Sequence, residues 1–353
     1  MSLQIFWFCL IAVLWGGYFV LEGFDFGVGI LLAFLPRDEG ERSTMLKTVG
    51  PFWDGNEVWL VVAAGATFAA FPAWYATMFS GFYLALLLIL VLLIVRVVSF
   101  EWREKSEDPR WLTTWRWANS VGSIGAPFVW GVALANLVHG VPLDSDGNYS
   151  GNVLDLFSAY TVLAGLATVA LFALHGATFL TLRTTGDLCV RAATLARRLC
   201  IPVAILLGAL LAWTVAVGVD RNDKDVFPSL LPAGLAVGAL VLTAVFAMRG
   251  RSGWAFVSTA LAAGLWVATI FTTLYPRVLV SHPSFSNSLT ISDAAAAHYA
   301  LSVITVVAAV LTPVVLLYQG WTYHVFRARL GGEPPSGEAV APVEPRVAGS
   351  PTG

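Results

Sequence analysis

The chain has 353 residues, of which 58% are hydrophobic and 12% are charged, and its mean hydropathy is +0.76. Soluble proteins are about 45–50% apolar and about 25% charged, so this composition excludes a soluble enzyme, a nucleic-acid-binding protein and a disordered scaffold. The formal net charge of -2 and the pI near 6.2 indicate no polyanionic partner. The sequence therefore predicts an all-α polytopic protein embedded in a lipid bilayer.

Nine apolar segments are long enough to cross the bilayer, because about 20 apolar residues in a helix span about 30 Å of hydrocarbon. The first has no basic region and no small-residue cleavage site before it, so we expect an uncleaved span. Nine crossings place the two ends of the chain on opposite sides. The predicted spans are 7–35, 52–72, 76–99, 118–139, 157–181, 199–219, 229–248, 254–275 and 298–320.

Basic residues are distributed unevenly between the connecting segments. If the N-terminus lies outside, the cytoplasmic segments carry 16 of the 20 Lys and Arg residues, and the outer loops carry Arg221, Lys224 and Arg277. Because basic residues concentrate on the cytoplasmic side, the sequence predicts an outer N-terminus and a cytoplasmic C-terminus. We assign residues 1–326 to the helical domain. Residues 327–353 are expected to form a disordered cytoplasmic tail, since they are rich in Pro and Gly and have little to bury.

The cysteines and histidines give weak functional signals. Cys9, Cys189 and Cys200 have neither disulfide-framework nor metal-site spacing, so they are interpreted as inert thiols. Of the five histidines, His175 is the one well inside a predicted span. A bis-histidine haem needs two such residues at matching depth on facing helices. His175 is therefore interpreted first as a hydrogen-bonded interior residue, with haem ligation or proton relay as alternatives, and no metal site is predicted.

Five charged residues stand out within the predicted spans. Glu22 and Asp25 lie in the first, Asp54 and Glu57 at the start of the second, and Arg96 near the inner end of the third. A charge at the centre of a membrane helix costs about 2.5–3.5 kcal/mol on insertion scales, so it usually faces the protein interior and has a partner or a task. A spacing of three residues places the two acids of each pair on one helix face.

Two interpretations of these acids are open. Four acids and one base cannot neutralise each other by simple pairing, so some acids must be protonated, reach water or meet another subunit. They form either a buried network that fixes helix packing or a proton-conducting group, because crowded buried carboxylates exchange protons near physiological pH. The step from Gly23 to Gly27 allows another helix to approach closely. Asn56 and Gln319 are interpreted as inter-helix hydrogen-bonding residues.

Two acidic motifs, GFDFGVG (23–29) and WDGNEVWL (53–60), resemble those of subunit II of the cytochrome bd-type quinol oxidases. The two motifs together are highly specific, and the resemblance extends to about residue 326, with an actinobacterial source expected. Further matching segments are FAAFPAWYATMFSGFY (68–83), ANLVHGVP (135–142), HGATFLTLRTTG (175–186), SNSLTISDA (286–294) and LLYQGW (316–321).

The resemblance implies a nine-helix subunit, with its N-terminus outside, in the bacterial cell (inner) membrane. It implies a heterodimer with subunit I, which carries two haems b, haem d and the quinol-oxidising loop, and in many complexes one or two single-helix accessory subunits. The complex oxidises menaquinol or ubiquinol and reduces O2 to water. Subunit II is then a scaffold without haem ligands, which weakens the haem alternative for His175, and in some members it holds a quinone structurally.

The resemblance also implies a cytoplasmic proton path along the subunit interface, through the aspartate of the WDGN motif, here Asp54. Asp54 is then the proton-uptake relay and Arg96 the counter-charge of Asp25 or Asp54, with Glu22 and Glu57 as secondary candidates.

The chain departs from the family at two positions, since several relatives have Gln where Glu57 stands and some have Gln where His175 stands. A proton-coupled secondary transporter that uses the same carboxylates is the first alternative function. Against it, we find no paired, Gly/Pro-interrupted helices in two related halves. A purely structural membrane subunit is the second alternative.

Overall fold

The computed structural model describes residues 2–331, and this part of the chain is almost entirely helical. The long helices bury their apolar side chains in one continuous core. The helices are α1 (Leu3–Leu31), α2 (Glu39–Val49), α3 (Trp53–Ala70), α4 (Pro72–Gly81), α5 (Tyr83–Trp102), α6 (Pro109–His139), α7 (Ala159–Arg183), α8 (Gly186–Arg221), α9 (Val226–Met248), α10 (Ser252–Leu274), α11 (Ile291–Ala294) and α12 (His298–Val325). Two short antiparallel strands, β1 (Arg277–Leu279) and β2 (Leu289–Thr290), lie between α10 and α11.

Eight of the described helices, namely α1, α5 to α10 and α12, are long and apolar enough to cross a membrane. This confirms the predicted class, an all-α polytopic membrane protein. The predicted second span corresponds to α3, which has 18 residues and is not one of the eight. The predicted third span, 76–99, is divided between two helices: Pro72 starts the separate helix α4, which ends at Gly81, and α5 begins after Phe82. The apolar crossing then begins at Tyr83.

Contacts at the helix ends define two ends of the bundle. At the first, which we call the α2 end, Arg103 after α5 forms an ion pair with Glu39 at the start of α2. At the second, the loop end, Thr77 of α4 donates to the carbonyl of Gly147 over 2.9 Å, and the amide of Ala296 donates to the carbonyl of Ala70 over 2.9 Å. Since α5 ends beside α2 while α4 contacts the loop after α6, α3 runs from one end to the other.

The two long connections at the loop end interlock. The amide of Val141 donates to the carbonyl of Val280 over 3.1 Å, and the amide of His282 donates back to the carbonyl of Val141 over 3.0 Å. The Asn287 side chain donates to the carbonyl of Leu143 over 2.9 Å. The polar segment between α10 and α12 is therefore an ordered cap over the helix ends.

The hydrophilic helix α2 is held to the bundle by ion pairs, in which Glu39 contacts Arg42 and Arg103, and Glu41 contacts Arg191. Partial burial alone would raise the pKa of both carboxyls, but the guanidinium groups outweigh it and hold the pKa of Glu39 and of Glu41 below the usual 4.5. Their stabilising contribution is therefore present above that value and is lost as the pH falls through the lower folded values. Because these groups are partly exposed, the contribution is small.

The chain after α12 continues along the end of α7. The amide of Leu330 donates to the carbonyl of Arg183 over 2.7 Å, and Arg329 donates to the carbonyl of Thr181 over 2.7 Å. Residues 327–330, which the sequence assigned to a disordered tail, thus pack against the bundle. Residues 332–353 of that predicted tail lie outside the described part of the chain.

Helices α1 and α7 touch through their backbones. A Cβ atom added to Gly27 would lie 2.6 Å from the amide nitrogen and 2.7 Å from the Cα atom of Gly176, and it would also collide with the carbonyl of Phe172. The step from Gly23 to Gly27 therefore allows the close helix approach that the sequence predicted.

Replacing Gly27 by alanine is expected to destabilise the protein by about 1–3 kcal/mol, because the new methyl group meets backbone that cannot move aside. The midpoint of thermal unfolding in mild detergent measures this. Gly238→Ala on α9 is the matched control, since a Cβ there meets nothing within 4 Å, and it should leave stability unchanged or raise it by up to about 1 kcal/mol. Equal shifts in the two variants would contradict the backbone contact.

Candidate functional site

Three of the predicted charged residues form a buried cluster where α1 meets α3 and α5. Glu22 and Arg96 have no exposed surface, and Asp25 is 1% exposed. Arg96 forms an ion pair with Glu22, and its guanidinium group lies 4.7 Å from the ring centroid of Phe26 and 5.5 Å from that of Phe100. The sequence predicted Arg96 as the counter-charge of Asp25 or Asp54, and its direct contact is with Glu22.

Helix geometry explains why Arg96 contacts Glu22 and not Asp25. Residues three apart on a helix differ by about 60° around its axis. Glu22 consequently faces α5, whereas Asp25 faces α3, where the Asn56 side-chain amide donates to Asp25 Oδ2 over 2.7 Å. The spacing placed the two acids on one face correctly but could not separate these two directions.

Asn56 links this cluster to α12. Its Oδ1 accepts hydrogen bonds from the Tyr323 hydroxyl over 2.8 Å and from the Gln319 amide over 3.2 Å. The Trp59 indole donates to the Gln319 Oε1 over 2.8 Å. Asn56 and Gln319 thus form the inter-helix hydrogen bonds that the sequence predicted. Tyr323 was missed, because it lies beyond the predicted end of the ninth span.

Asp54 lies outside the buried cluster. It is exposed in the first turn of α3 and lines a groove of about 650 Å³ between α1, α3 and α12. The groove walls are mostly apolar, with Trp7 and Leu311 towards the loop end, while Asn56 and Tyr323 line it near Asp54. Asn56 therefore stands between the groove and Asp25. Glu57, one turn along α3, is partly buried.

His175 is fully buried, and protein groups occupy both nitrogens of its ring. Nε2 donates to the carbonyl of Val20 over 3.1 Å, and Nδ1 lies 2.7 Å from the Thr259 hydroxyl. This confirms the hydrogen-bonded interior histidine and leaves neither nitrogen free to ligate haem iron. Within residues 2–331, no group of three or more His, Cys, Asp or Glu side chains is placed to hold a metal ion.

Helix α12 presents most of its surface outward. Leu301 is its one buried residue, and large apolar side chains line its outer face. Such a continuous apolar face requires lipid or another membrane protein as its neighbour. The exposed members with more than half of their surface accessible include Val306, Val310, Val314, Leu317, Tyr318 and Trp321.

Together, the fold and the buried cluster define a polytopic helical membrane protein with paired and unpaired carboxylates at one end of its bundle. The sequence profile of the family described as "Cytochrome bd terminal oxidase subunit II" matches residues 3–326. The chain therefore belongs to the family of cytochrome bd oxidase subunit II.

Named relatives agree with this assignment. The "Cytochrome bd ubiquinol oxidase subunit 2" of Bacillus subtilis (strain 168) is 42% identical over 336 residues, which cover 95% of this chain and 98% of the relative. The "Cytochrome bd-I ubiquinol oxidase subunit 2" of Escherichia coli (strain K12) is 36% identical over 364 residues, covering 94% and 96%. These matches confirm the resemblance seen in the sequence, but neither organism is an actinobacterium, so the expected source is not supported.

A solved structure shares the fold. The bd oxidase from Geobacillus thermodenitrificans superimposes with a TM-score of 0.73 at 18% sequence identity, covering 92% of this chain and 97% of that chain. This likeness shows the shared fold. The family match and the named relatives establish the protein as a membrane subunit of a terminal quinol oxidase, an oxidoreductase complex. The oxidase is thereby favoured over the transporter alternative.

Replacing Arg96 by leucine is expected to destabilise the protein by about 3–5 kcal/mol, because Glu22 would stay buried without its counter-charge. The Glu22→Gln/Arg96→Leu double variant should lose less stability than the two single variants together. A double-mutant cycle on thermal unfolding measures the coupling. Arg42→Leu, which breaks a partly exposed pair with Glu39, should cost under about 1 kcal/mol. Strictly additive losses for Arg96 and Glu22 would contradict the pairing.

Proposed function

We propose that this chain scaffolds a haem-bearing subunit I and supplies part of a cytoplasmic proton path to a complex that oxidises ubiquinol or menaquinol and reduces O2 to water. The observation that carries this proposal is the position of Asp54, an exposed carboxyl group at the α2 end of a groove between α1, α3 and α12. The names of the relatives, both ubiquinol oxidase subunits, support the substrate class.

The proposed topology has nine crossings, with α3 added to the eight apolar helices. In support, the 18 helical residues of α3 extend about 27 Å. Since α2 lies at one end of the bundle and α4 contacts the other, α3 must pass from the α2 end to the loop end. The α2 end carries most of the basic residues, including Arg103, Arg191 and Arg251. We assign it to the cytoplasm, which leaves the N-terminus outside.

This orientation predicts the labelling of single cysteines. With Cys9, Cys189 and Cys200 replaced by alanine, a membrane-impermeant maleimide added to intact spheroplasts should label Asp146→Cys in the loop between α6 and α7. It should label Arg251→Cys, between α9 and α10, only after the membrane has been permeabilised. Both positions are exposed, so access to each depends on the membrane. The opposite pattern would reverse the orientation.

Asp54 is proposed to act as a general acid/base relay that takes up protons from the cytoplasm. Its exposure allows water to reach the carboxylate, and the groove leads from it along α12, whose apolar outer face suits contact with the partner subunit. Electron transfer and oxygen reduction belong to the two haems b and the haem d proposed for subunit I. In this chain, the residues hold and move protons and position the helices.

Replacing Asp54 by asparagine keeps the size and polarity of the side chain but removes the proton-exchanging group. We expect haem absorption of the purified complex to stay nearly unchanged, while quinol-oxidase turnover falls by about 100-fold or more, because proton transfer groups contribute about 10²–10⁴-fold. Oxygen consumption with a reduced quinol measures this.

The matched control is Asp187→Asn, an exposed carboxyl group in the first turn of α8 at the same end of the bundle. It should keep full turnover. Full turnover in Asp54→Asn would overturn the proton role and leave the purely structural subunit as the better account.

A further inference from the structure

The buried cluster contains one acid more than it can neutralise. Glu22, Asp25 and Arg96 are each at most 1% exposed, and two ionised carboxylates beside one guanidinium would leave a net negative charge shielded from water. Buried charges without a counter-charge are costly. The cluster is electrically neutral when one of the two carboxyls carries a proton.

Contacts distinguish the two carboxyls. Glu22 is in direct contact with the Arg96 guanidinium, which stabilises its ionised form. Asp25 instead receives a neutral donor, the Asn56 amide, on Oδ2. That contact suits the carbonyl oxygen of a carboxylic acid and leaves Oδ1 to carry the proton. Within residues 2–331, Oδ1 of Asp25 and Oε2 of Glu22 both lack a hydrogen-bond partner, so the direct guanidinium contact of Glu22 is what distinguishes the two acids.

The other ionisable groups near Asp25 act on it in both directions. They are Glu22 on its own helix, Glu57 on α3, Arg96 on α5 and Tyr323 on α12. Glu57 adds a further negative charge when it is ionised, and Tyr323 is neutral at ordinary pH. Among residues 2–331, Arg96 is the cation that acts on this group of acids; it attracts the ionised form of Asp25 as well, but its direct contact is with Glu22.

We propose that Asp25 is a neutral carboxylic acid that stores a proton on Oδ1, and that Asn56 is the positioning residue that holds it behind the groove. Asn56 is itself fixed by Tyr323 and Gln319, so α12 determines its side-chain orientation. The environment of Asp25 is thereby linked to α12, the helix whose apolar face is exposed on the surface of this chain. This inference rests on the proposed function, because the store is placed beside the proton-uptake residue Asp54.

Infrared spectroscopy of the purified oxidase complex tests the proposal, because a protonated carboxyl has a C=O stretching band that a carboxylate lacks. The wild-type minus Asp25→Asn difference spectrum at neutral pH should show the loss of one such band. In Asn56→Leu the band should persist and shift to higher frequency, since a hydrogen bond to the carbonyl oxygen is removed. Asn136→Ala is the control. Asn136 lies at the loop end of α6, where it donates to backbone carbonyls, so its replacement should leave the frequency of the band unchanged.

An unchanged protonated-carboxyl region in Asp25→Asn, with haem absorption intact, would overturn the proposal. If the Asp25→Asn complex does not assemble, the Asn56→Leu variant provides the test. A shifted carboxyl band supports a protonated Asp25, and an unchanged carboxyl band overturns it. Asp54→Asn separates this inference from the proposed function. Full turnover with the band still present in that variant would overturn the uptake role of Asp54 alone.

Discussion

The ion pair between Arg96 and Glu22 is the interaction on which the arrangement of the other helices depends. Both groups are completely buried, so neither can be solvated separately and the two helices that carry them must be held together. The pair fixes the rotation of α1 and α5 about their axes. Successive residues of an α-helix are rotated by about 100° around its axis. Once the rotation of α1 is fixed, Asp25 must therefore face α3 and Gly27 must face α7. One electrostatic constraint thus orients three helix contacts.

The contacts on the remaining sides of α1 are of different kinds. On the α7 side, Gly27 and Gly176 bring two backbones into contact, which gains dispersion energy in a setting where the hydrophobic effect does not drive helices together. On the α3 side, Asn56 bonds Asp25 and reaches Tyr323 of α12. Helix α12 is otherwise exposed along most of its length, so this polar contact, with Trp7 donating to Thr305 near the loop end, holds it to the bundle.

The sequence predicted the apolar helices well and their mutual rotation poorly, for physical reasons. Crossing a bilayer requires a long run of apolar residues, which is a local property that composition reveals. This rule did not predict α2, which is hydrophilic and held by ion pairs, nor α4, because the apolar run 76–99 does not reveal the break at Phe82 between α4 and α5. The direct contact of Arg96 with Glu22 could not be predicted, because residue spacing gives a helix face only to within about 60° and the choice between neighbouring acids depends on tertiary packing.

The two acidic motifs place carboxyl groups in opposite environments, which is the property a proton path needs. A residue that takes up protons must reach water, and Asp54 does so at the mouth of the groove. A residue that passes protons inward without leaking them must be shielded, and Asp25 is shielded by Asn56. In the sequence Asp25 and Asp54 look alike, as acids within predicted spans, but Asp25 is buried and Asp54 is exposed. The Asn56 amide lies on the boundary between these two environments, and its orientation is set by Tyr323 and Gln319 of α12.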